Sequence, residues 1–237
     1  MVRWHDRLPS TMDEAHRLAV AGAVHGTAVA ARVQDTGRGR RGRSWASPDG
    51  GLWLSVICRP GDAAGAGCLS LRAGLAVVAA IEALLPTVRG LQLKWPNDVV
   101  LDGRKLAGLL CEARWEAARP VHVVVGLGLN VVNPIPPALV EKAVALADRA
   151  AGATVSGLAQ PLAEAIADAG LAAGALSDGE RAAWARRDWL LGRPVSGALS
   201  GTAAGIAPDG ALLVCQDDGV IGRIEAGEVV TAGQGSR

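Results

Sequence analysis

Apolar and polar residues alternate with a repeat of two through much of the first 130 residues, a pattern typical of β-strands. The clearest run is Leu52–Cys58, and further strands are predicted at residues 27–33, 91–94, 99–101, 105–115 and 121–126. The Asp102-Gly103 pair predicts a tight hairpin turn between two of them. Helices are predicted after the capping-box pattern at residues 10–13 and at residues 69–85, where Pro86 ends the second one.

The second half of the chain changes its pattern twice. Residues 138–190 are rich in alanine and predict helices. From residue 192, short apolar runs alternate with turns at Asp209-Gly210 and Asp218-Gly219, which predicts a small β-barrel-like unit. We therefore divide the chain into a first domain at residues 1–190 and a C-terminal β domain at residues 191–237.

Composition narrows the class of protein. Of the 237 residues, 50% are hydrophobic and 20% are charged, which excludes a wholly disordered chain. The most apolar stretch, residues 73–81, is ended by Glu82, and the first six residues lack an apolar signal core. We therefore expect no membrane span and a cytoplasmic location. The net charge of +1 argues against a general nucleic-acid binder.

The cysteines do not resemble a metal or disulfide framework. Cys58, Cys68, Cys111 and Cys215 lie far apart and lack the spacing of zinc ligands. We expect them to be reduced and to behave as small hydrophobic residues.

Lysine and asparagine are scarce in this chain. There are three of each, against 21 arginines, and there is no Phe or Tyr. Two lysines and one asparagine fall between Lys94 and Lys105, and Asn130 and Asn133 follow a glycine-rich strand. Where composition is biased so strongly, the rare residue types that remain indicate positions at which chemistry requires them.

Residues 34–45 read Q-D-T-G-R-G-R-R-G-R-S-W, so that arginines and glycines interleave. Gly37, Gly39 and Gly42 satisfy the dinucleotide-binding pattern G-x-G-x-x-G, and the run nearly satisfies the P-loop pattern. Both patterns require a helix directly after the glycines, whereas a strand is predicted here. We interpret the run as a cationic loop whose arginines match phosphate and carboxylate oxygens. A solvated basic loop or a nonspecific RNA contact is the alternative.

Lys94 and Lys105 flank the predicted hairpin, in the strings K-W-P-N-D (residues 94–98) and R-K-L-A-G (residues 104–108). Two strands joined by a tight turn bring both ammonium groups to one side. Two cations with an amide and a carboxylate suit a polyphosphate and its magnesium. The alternative is a surface hairpin with solvated lysines.

Two shorter patterns add candidate binding surfaces. The run V-V-V-G-L-G-L-N at residues 123–130 predicts a buried strand in which Gly126 and Gly128 remove side chains from one face. That face would offer an open slot to a flat ligand, although a bulge or tight packing under a helix is the alternative. Ser10 and Thr11 predict a helix cap, and a helix N-terminus beside a ligand is compatible with the same residues.

Taken together, these strings resemble the biotin protein ligases in order and spacing, over about residues 10–132 and more loosely in the β-rich tail. The resemblance implies an α+β fold, a mixed β-sheet flanked by helices like the core of class II aminoacyl-tRNA synthetases and lipoate ligases, with a small SH3-like β-barrel after it. It implies that biotin and Mg-ATP give biotinyl-5′-AMP and pyrophosphate. A lysine on the biotin carboxyl carrier domain of an acyl-CoA carboxylase would then accept biotin and release AMP.

The resemblance also implies roles for individual residues. The residues expected to bind biotin are Ser10, Thr11, Gln34, Arg38, Gly39, Arg40, Lys105, Gly108, Gly126 and Gly128. The residues expected to bind ATP are Arg38, Arg40, Arg43, Trp45, Lys94, Asn97, Lys105 and Asn130, with Mg²⁺ carried by the ATP near the two asparagines. Lys105, Arg38 and Arg40 are the expected catalytic residues. Asp98 is a candidate to assist deprotonation of the acceptor lysine.

The chain departs from the family pattern in two ways. The Ser-Thr pair begins at residue 10, which leaves no room for the winged helix of repressor members. We therefore expect a ligase that binds neither DNA nor membranes, as a monomer or weak homodimer. Met12 stands where the family commonly has asparagine. The rival hypotheses are a lipoate–protein ligase on the same core, a noncatalytic binding protein and an RNA-binding module.

Overall fold

The computed structural model describes residues 1–231, and its strands form two sheets. The first sheet contains β1 (Val2–Leu8), β2 (Ala28–Gln34), β3 (Leu52–Cys58), β4 (Gln92–Lys94), β5 (Asp98–Leu101), β6 (Arg104–Glu116) and β7 (Arg119–Leu129). Their order in space is β1-β2-β3-β7-β6-β5-β4. The β1–β2 pair is parallel and the other pairs are antiparallel, so the sheet is mixed, as expected.

Strand β1 was not predicted. Its sequence, V-R-W-H-D-R-L, buries only Val2, because the strand lies at the edge of the sheet and turns most side chains to solvent. Val2 and Trp4 alternate with Arg3 and His5, but two more polar residues follow, so the apolar–polar repeat is too short to identify a strand. Strand β1 is instead defined by its pairing with β2, which extends over almost its full length.

Four helices accompany the sheets: α1 (Thr11–Val20), α2 (Ala63–Leu84), α3 (Val155–Ala169) and α4 (Asp178–Ala185). Helix α1 covers one face of the first sheet, where its Ala15 and Leu18 pack with Val29, Ile57 and Val124. The other face lies under α2 and α3 in a separate, larger core. The expected arrangement of a mixed sheet flanked by helices is therefore confirmed.

Helix α2 begins six residues before its predicted start. The Asp62 side chain caps it by accepting a hydrogen bond from the Gly65 N–H at 2.6 Å. By length and composition alone, α2 is long and apolar enough to cross a membrane, and within residues 1–231 it is the one helix of that kind. Ten of its residues, including Leu69 and Val77, are buried, which is the packing of a core helix.

The helical prediction for residues 138–190 is wrong in its first part. Two short 3₁₀ turns, Pro137–Leu139 and Leu146–Asp148, lie in an irregular segment, and regular helix resumes only at α3. Backbone groups of this segment bond to the first sheet instead: the Lys105 N–H donates to the Lys142 carbonyl at 2.8 Å, and the Val144 N–H donates to the Lys105 carbonyl at 3.0 Å.

The second sheet contains β8 (Pro194–Ser196), β9 (Gly201–Ile206), β10 (Leu212–Cys215), β11 (Ile221–Ile224) and β12 (Val230–Thr231). All of its pairs are antiparallel, in the order β11-β10-β9-β8-β12, which confirms the predicted small β unit. Strand β9 was missed because its G-T-A-A-G-I sequence has low strand propensity. The division into domains at residues 190 and 191 stays a prediction, and residues 232–237 of the second domain lie outside the described residues.

Two of the four cysteines are fully buried, as expected of small hydrophobic residues. Cys58 and Cys68 are 0% and 1% exposed, and burial raises the pKa of the Cys58 thiol to about 12. Cys111 and Cys215 are partly exposed. Within residues 1–231, no three His, Cys, Asp or Glu side chains are grouped as metal ligands would be.

Candidate active site

A cavity of about 290 Å³ opens on the face of the first sheet that carries α1. It gathers almost every residue predicted to bind biotin or ATP: Ser10, Thr11, Gln34, Arg38, Gly39, Arg40, Arg43, Trp45, Lys94, Asn97, Lys105, Gly108, Gly126 and Gly128. These residues come from the start of α1 and its N-cap, four strands, the loop after β2 and the turn between β4 and β5. Segments far apart in sequence thus converge on one place, as the predicted site required.

Asn130 is the exception. It is 6% exposed, its Oδ1 accepts a hydrogen bond from Asn133 Nδ2 at 3.1 Å, and its backbone N–H donates to the Leu106 carbonyl. The residue therefore ties the end of β7 to its surroundings and does not line the cavity with the others. Its contact with ATP stays a prediction.

One wall of the cavity is a neutral polar network around Thr11. The Thr11 N–H and hydroxyl donate to Gln34 Oε1 at 2.8 and 3.0 Å, and the hydroxyl also lies 2.8 Å from Ser55 Oγ. The Gln34 amide in turn donates to Ser47 Oγ at 2.9 Å. Each of these groups holds the next in place, so the wall presents polar atoms in fixed positions.

Ser10 caps α1 by accepting a hydrogen bond from the Met12 N–H at 3.3 Å. The capping-box prediction is wrong in its second half, because the Asp13 carboxylate pairs with Arg38 across the site at 2.7 Å. Ser10 also lines the cavity. The helix-cap and binding-site interpretations of this residue are therefore compatible.

We call Gly108, Gly126 and Gly128 the glycine floor, because the bare backbone at these positions of β6 and β7 forms the base of the cavity. A Cβ atom on Gly126 would lie 2.8 Å from Met12 Sδ, and one on Gly128 would lie 2.7 Å from the Trp45 ring. Met12 and Trp45 therefore lie directly on the floor, which still lines the cavity, and its use as a slot for a flat ligand stays a prediction. Glycine is required at both positions because only a bare backbone permits so close an approach.

Residues 34–47 form the arginine loop, which doubles back on itself. Gln34 bridges to Ser47 and Arg38 to Ser44, and the Gly39 N–H donates to the Arg43 carbonyl at 2.8 Å. A 3₁₀ turn, Arg40–Gly42, closes its tip with Arg41 in the left-handed region at φ 59°. Strand β3 follows the loop, which agrees with the exclusion of both phosphate-binding patterns that need a helix there.

The arginines of this loop have different partners. Arg38 donates from Nε and Nη2 to Glu112 at 3.0 and 3.2 Å, and the two carboxylates beside it raise its pKa. Arg40 donates to Asn97 Oδ1 at 3.3 Å, and burial lowers its pKa. Arg43 forms a two-point ion pair with Glu228, in the turn between β11 and β12. The loop therefore contacts the first sheet and a turn of the C-terminal unit.

Both predicted lysines point into the cavity. Lys105 Nζ lies 2.7 Å from Asp98 Oδ1 and 4.9 Å from the centre of the Trp45 ring, a cation–π distance. Lys94 Nζ lies 5.0 Å from the Trp189 ring, and burial lowers its pKa, although Asp98 and Glu228 act in the opposite direction. The hairpin thus brings the two ammonium groups to one side, as predicted.

Several residues of the site were not found in the sequence. Glu112 faces the same side of β6 as Gly108, four residues earlier, so strand periodicity gave a usable signal. Asp13 lies in the first turn of α1, and its acidic character was attributed to capping. Glu228 meets Arg43 across 185 positions of sequence, and no local pattern indicates that contact.

The arrangement suits an anionic ligand with several charged groups. Arg38, Arg40, Arg43, Lys94 and Lys105 all line one cavity, beside the neutral wall and above the glycine floor. Guanidinium and ammonium groups fixed in a partly buried site stabilise phosphate and carboxylate oxygens strongly. A flat, neutral group would find its hydrogen bonds at Thr11 and Gln34.

Comparison with known proteins relates both parts of the chain to protein ligases. Residues 4–130 match the biotin/lipoate A/B protein ligase family, and residues 190–231 match the biotin protein ligase C-terminal domain. The bifunctional ligase/repressor of Bacillus subtilis is 42% identical over 132 residues, which cover 54% of this chain and 39% of that protein. The biotin–[acetyl-CoA-carboxylase] ligase of Mycobacterium tuberculosis is 43% identical over 145 residues, covering 56% and 52%. The chain spans about two fifths to one half of the length of these relatives.

The fold extends the likeness to nearly the whole chain. The biotin protein ligase from Aquifex aeolicus, solved in complex with biotin and ATP, is 27% identical, has a TM-score of 0.80, and is covered to 97%, as is this chain. The first family match alone includes more than half of the residues and every segment that forms the cavity except the turn at Glu228. The chain belongs to the biotin/lipoate A/B protein ligase family.

Proposed function

We propose that this protein is an ATP-dependent biotin–protein ligase. It would activate biotin as biotinyl-5′-AMP with release of pyrophosphate and then transfer biotin to a lysine of a carboxyl carrier domain. The observation that carries the proposal is the convergence of five cationic side chains on one cavity with a glycine floor and a neutral polar wall. The similarity over 97% of both chains to a ligase solved with biotin and ATP supports it.

In the first step, the carboxylate of biotin attacks the α-phosphorus of ATP and pyrophosphate leaves. Negative charge builds on the α-phosphoryl oxygens, and preplaced cations stabilise that charge more than they stabilise the ground state. Lys105, Arg38 and Arg40 are the side chains we assign to this task. Thr11 and Gln34, already linked to each other, would bind the ring end of biotin.

The phosphates of ATP would meet Lys94 and Arg43 on the side of the cavity nearer the second sheet. Asn97 offers a weaker contact, because its amide already donates to the Leu109 carbonyl at 2.6 Å and its oxygen accepts from Arg40. Mg²⁺ would enter as part of the Mg-ATP substrate.

In the second step, the acceptor lysine attacks the mixed anhydride and AMP leaves. This lysine must first lose a proton, and Asp98, 2.7 Å from Lys105 Nζ, is the carboxylate at the reacting centre that we assign to assist it. The arginine loop would keep water from the anhydride until the carrier arrives. We further propose a cytoplasmic enzyme that acts as a monomer or weak homodimer.

The decisive test is biotin-dependent exchange of labelled pyrophosphate into ATP, with lipoate assayed in parallel. Exchange with biotin and not with lipoate is the expected result. Exchange with lipoate alone would keep the adenylation chemistry and overturn the substrate. No exchange with either, in protein shown to be folded, would favour a noncatalytic or RNA-binding role, and RNA affinity that falls steeply with salt would identify the latter.

The transfer step needs its own assay. A biotin carboxyl carrier domain of an acyl-CoA carboxylase should gain biotin at one lysine, detected as a mass increase, when enzyme, biotin and Mg-ATP are present. The matched control is the same domain with that lysine changed to arginine. Labelling of the control domain to the same extent would contradict specific transfer.

A further inference from the structure

A chain of four side chains leads from beneath α1 to Arg38. His122 Nε2 lies 3.1 Å from His16 Nδ1, and His16 Nε2 lies 3.1 Å from Glu112 Oε2. Glu112 accepts two hydrogen bonds from Arg38, at 3.0 and 3.2 Å. The chain therefore connects a buried histidine to a cation that lines the cavity.

The register of the strands explains why these groups meet. Glu112 on β6 pairs with Val124 on β7, and Arg114 pairs with His122, so Glu112 and His122 face the same side of the sheet as Gly126 and α1. His16 reaches down from α1 between them. The floor of the cavity and the histidine–carboxylate chain are thus neighbouring parts of one surface.

The hydrogen-bond donors in this chain follow from its chemistry. A carboxylate only accepts, so the proton on His16 Nε2 must point at Glu112. In neutral His16 the other nitrogen, Nδ1, then accepts from His122 Nε2–H. His122 is 1% exposed, and burial lowers its pKa, with His16, Arg59 and Arg114 acting in the same direction, so it stays neutral. These donor assignments hold for neutral His16; a protonated His16 would keep its Nε2–H on Glu112 and would donate from Nδ1 to His122 Nε2.

Arg38 is fastened through two of its three guanidinium nitrogens. Its Nε and Nη2 bond to Glu112, and Nη2 also pairs with Asp13 at 2.7 Å. The remaining nitrogen, Nη1, carries two further donors. Burial acts to raise the pKa of Glu112, but Arg38 and His16 outweigh it and hold the pKa below its usual value, so the anchor stays charged.

We propose that Glu112 and His16 are positioning residues for Arg38 in the ligase reaction. Glu112 holds the guanidinium by its Nε edge, so that Nη1 faces the carboxylate and α-phosphate, and His16 fixes the orientation of Glu112. This inference rests on the proposed function, because Arg38 acts on substrate only if the protein is a ligase. An anchor on a strand, supported from behind by a helix, keeps a loop arginine in its productive geometry before substrate binds.

The test measures biotin-dependent pyrophosphate exchange in matched variants. Glu112→Gln keeps the shape and removes the charge, and should lower kcat/KM for biotin about tenfold. Its control is Glu82→Gln, which removes a carboxylate from an ion pair with Arg187 of similar exposure outside the cavity, and should change kcat/KM less than about twofold. Unfolding curves of each variant check that the fold is kept.

Two further variants separate positioning from a merely structural role. His16→Leu removes the donor to Glu112 and should lower kcat/KM for biotin about threefold to tenfold. His16→Gln, whose amide still donates, should keep kcat/KM within about twofold of the unchanged protein. If Glu112 acts through Arg38, adding Glu112→Gln to the Arg38→Gln variant should lower kcat/KM by less than a further factor of about two. These readouts remain informative if one variant proves unstable.

The outcomes distinguish the two proposals. Exchange by the unchanged protein with the losses described, non-additive at Arg38, supports both. Exchange by the unchanged protein with no loss in Glu112→Gln, or with losses that multiply with Arg38→Gln, overturns the positioning roles and leaves the ligase assignment intact. The absence of exchange by the unchanged protein overturns the ligase assignment, and the positioning proposal with it.

Discussion

The glycine floor and the arginine loop form opposite sides of one cavity, and they are held in place by different forces. The floor is backbone: Gly108 pairs directly with Gly128 in the β6–β7 ladder, and hydrogen bonds fix both. The loop has backbone hydrogen bonds within itself, but its arginines are tied to the rest of the site by side chains, through Glu112, Asn97 and Glu228. One side of the cavity is therefore rigid by construction, and the other depends on individual charged contacts.

This difference between floor and loop predicts how well each of them tolerates mutation. Gly128 leaves no room for an added atom unless Trp45 moves, because a Cβ there would lie 2.7 Å from the Trp45 ring. In the loop, the contribution of each arginine depends on its burial: the Arg38–Glu112 pair is about one-third exposed, whereas Arg43 is 64% exposed. Exposed pairs contribute little because solvent screens them. Mutations in the loop should therefore lower activity by amounts that depend on the burial of each arginine, whereas a small change in the floor should lower it sharply.

The largest effect is expected where floor and loop meet, at Lys105. Its terminal atoms lie above Gly108 and beside the Trp45 ring. Lys105→Ala should reduce pyrophosphate exchange at least about hundredfold, because it removes a cation from the reacting centre, while the fold persists. Lys142→Ala, which changes an exposed lysine outside the cavity, is the control. Equal activity of the two variants would contradict the assignment.

The second-largest effect is expected from adding one methyl group to the glycine floor. Gly128→Ala should displace Trp45 and lower kcat/KM for biotin about tenfold, with a small loss of stability. The contrasting variant is Gly67→Ala on the exposed face of α2, where a Cβ meets nothing within 4 Å. That change should raise stability by about 0.5–1 kcal/mol and leave exchange unaltered. Thermal unfolding and exchange assays measure both, and a Gly128→Ala enzyme of full activity would refute the rigid floor.

Loss of Arg40 tests whether the loop retains the adenylate. Arg40→Gly removes the contact with Asn97 and opens the loop near its tip. We expect adenylate to form but to escape, so that lysines of an unrelated bystander protein become biotinylated. Mass spectrometry of that bystander gives the measurement. Strict specificity for the carrier domain in this variant would contradict the retaining role.

The exposed end of the loop should respond weakly. Arg43→Gln and Glu228→Gln each break the ion pair between the loop and the turn before β12, and each should lower kcat/KM for ATP less than about fivefold. Raising the ionic strength should reduce the difference from the unchanged enzyme, because salt screens exposed charges. A loss of activity as large as that of Lys105→Ala would show that burial does not determine how much each loop contact contributes.

Acid should loosen the loop before it affects the floor. The pKa of Glu112 is held below its usual value, so its stabilising contribution is present above the usual value and is lost as pH falls through the lowered one. Unfolding free energies of the unchanged protein and of Glu112→Gln should differ near pH 6 and converge below about pH 4. A difference that persists unchanged at pH 3 would mean that the Glu112 charge does not stabilise the fold.

Local features of the sequence predicted much of the fold, and distant contacts explain what it missed. Asp102 and Gly103 adopt φ values of 51° and 73°, as the hairpin prediction required, because two residues suffice to encode that turn. Gly126 and Gly128 were placed on the correct face by periodicity alone. That Met12 and Trp45 would lie on them depends on the path of α1 and of the arginine loop, which no strand pattern encodes. The bond between Asn130 and Asn133 could not be predicted, because Asn133 lies in an irregular segment without a repeating pattern.

Trp45 gives this protein an optical signal at its most informative point. The chain has seven tryptophans and no tyrosine or phenylalanine, so its near-ultraviolet absorption and its fluorescence come from indole almost alone. Trp45 lies on Gly128 with the Lys105 ammonium 4.9 Å from its ring centre. A ligand that reaches the floor must change the surroundings of that ring. The emission difference between the protein and its Trp45→Leu variant therefore provides a label-free titration of the cavity.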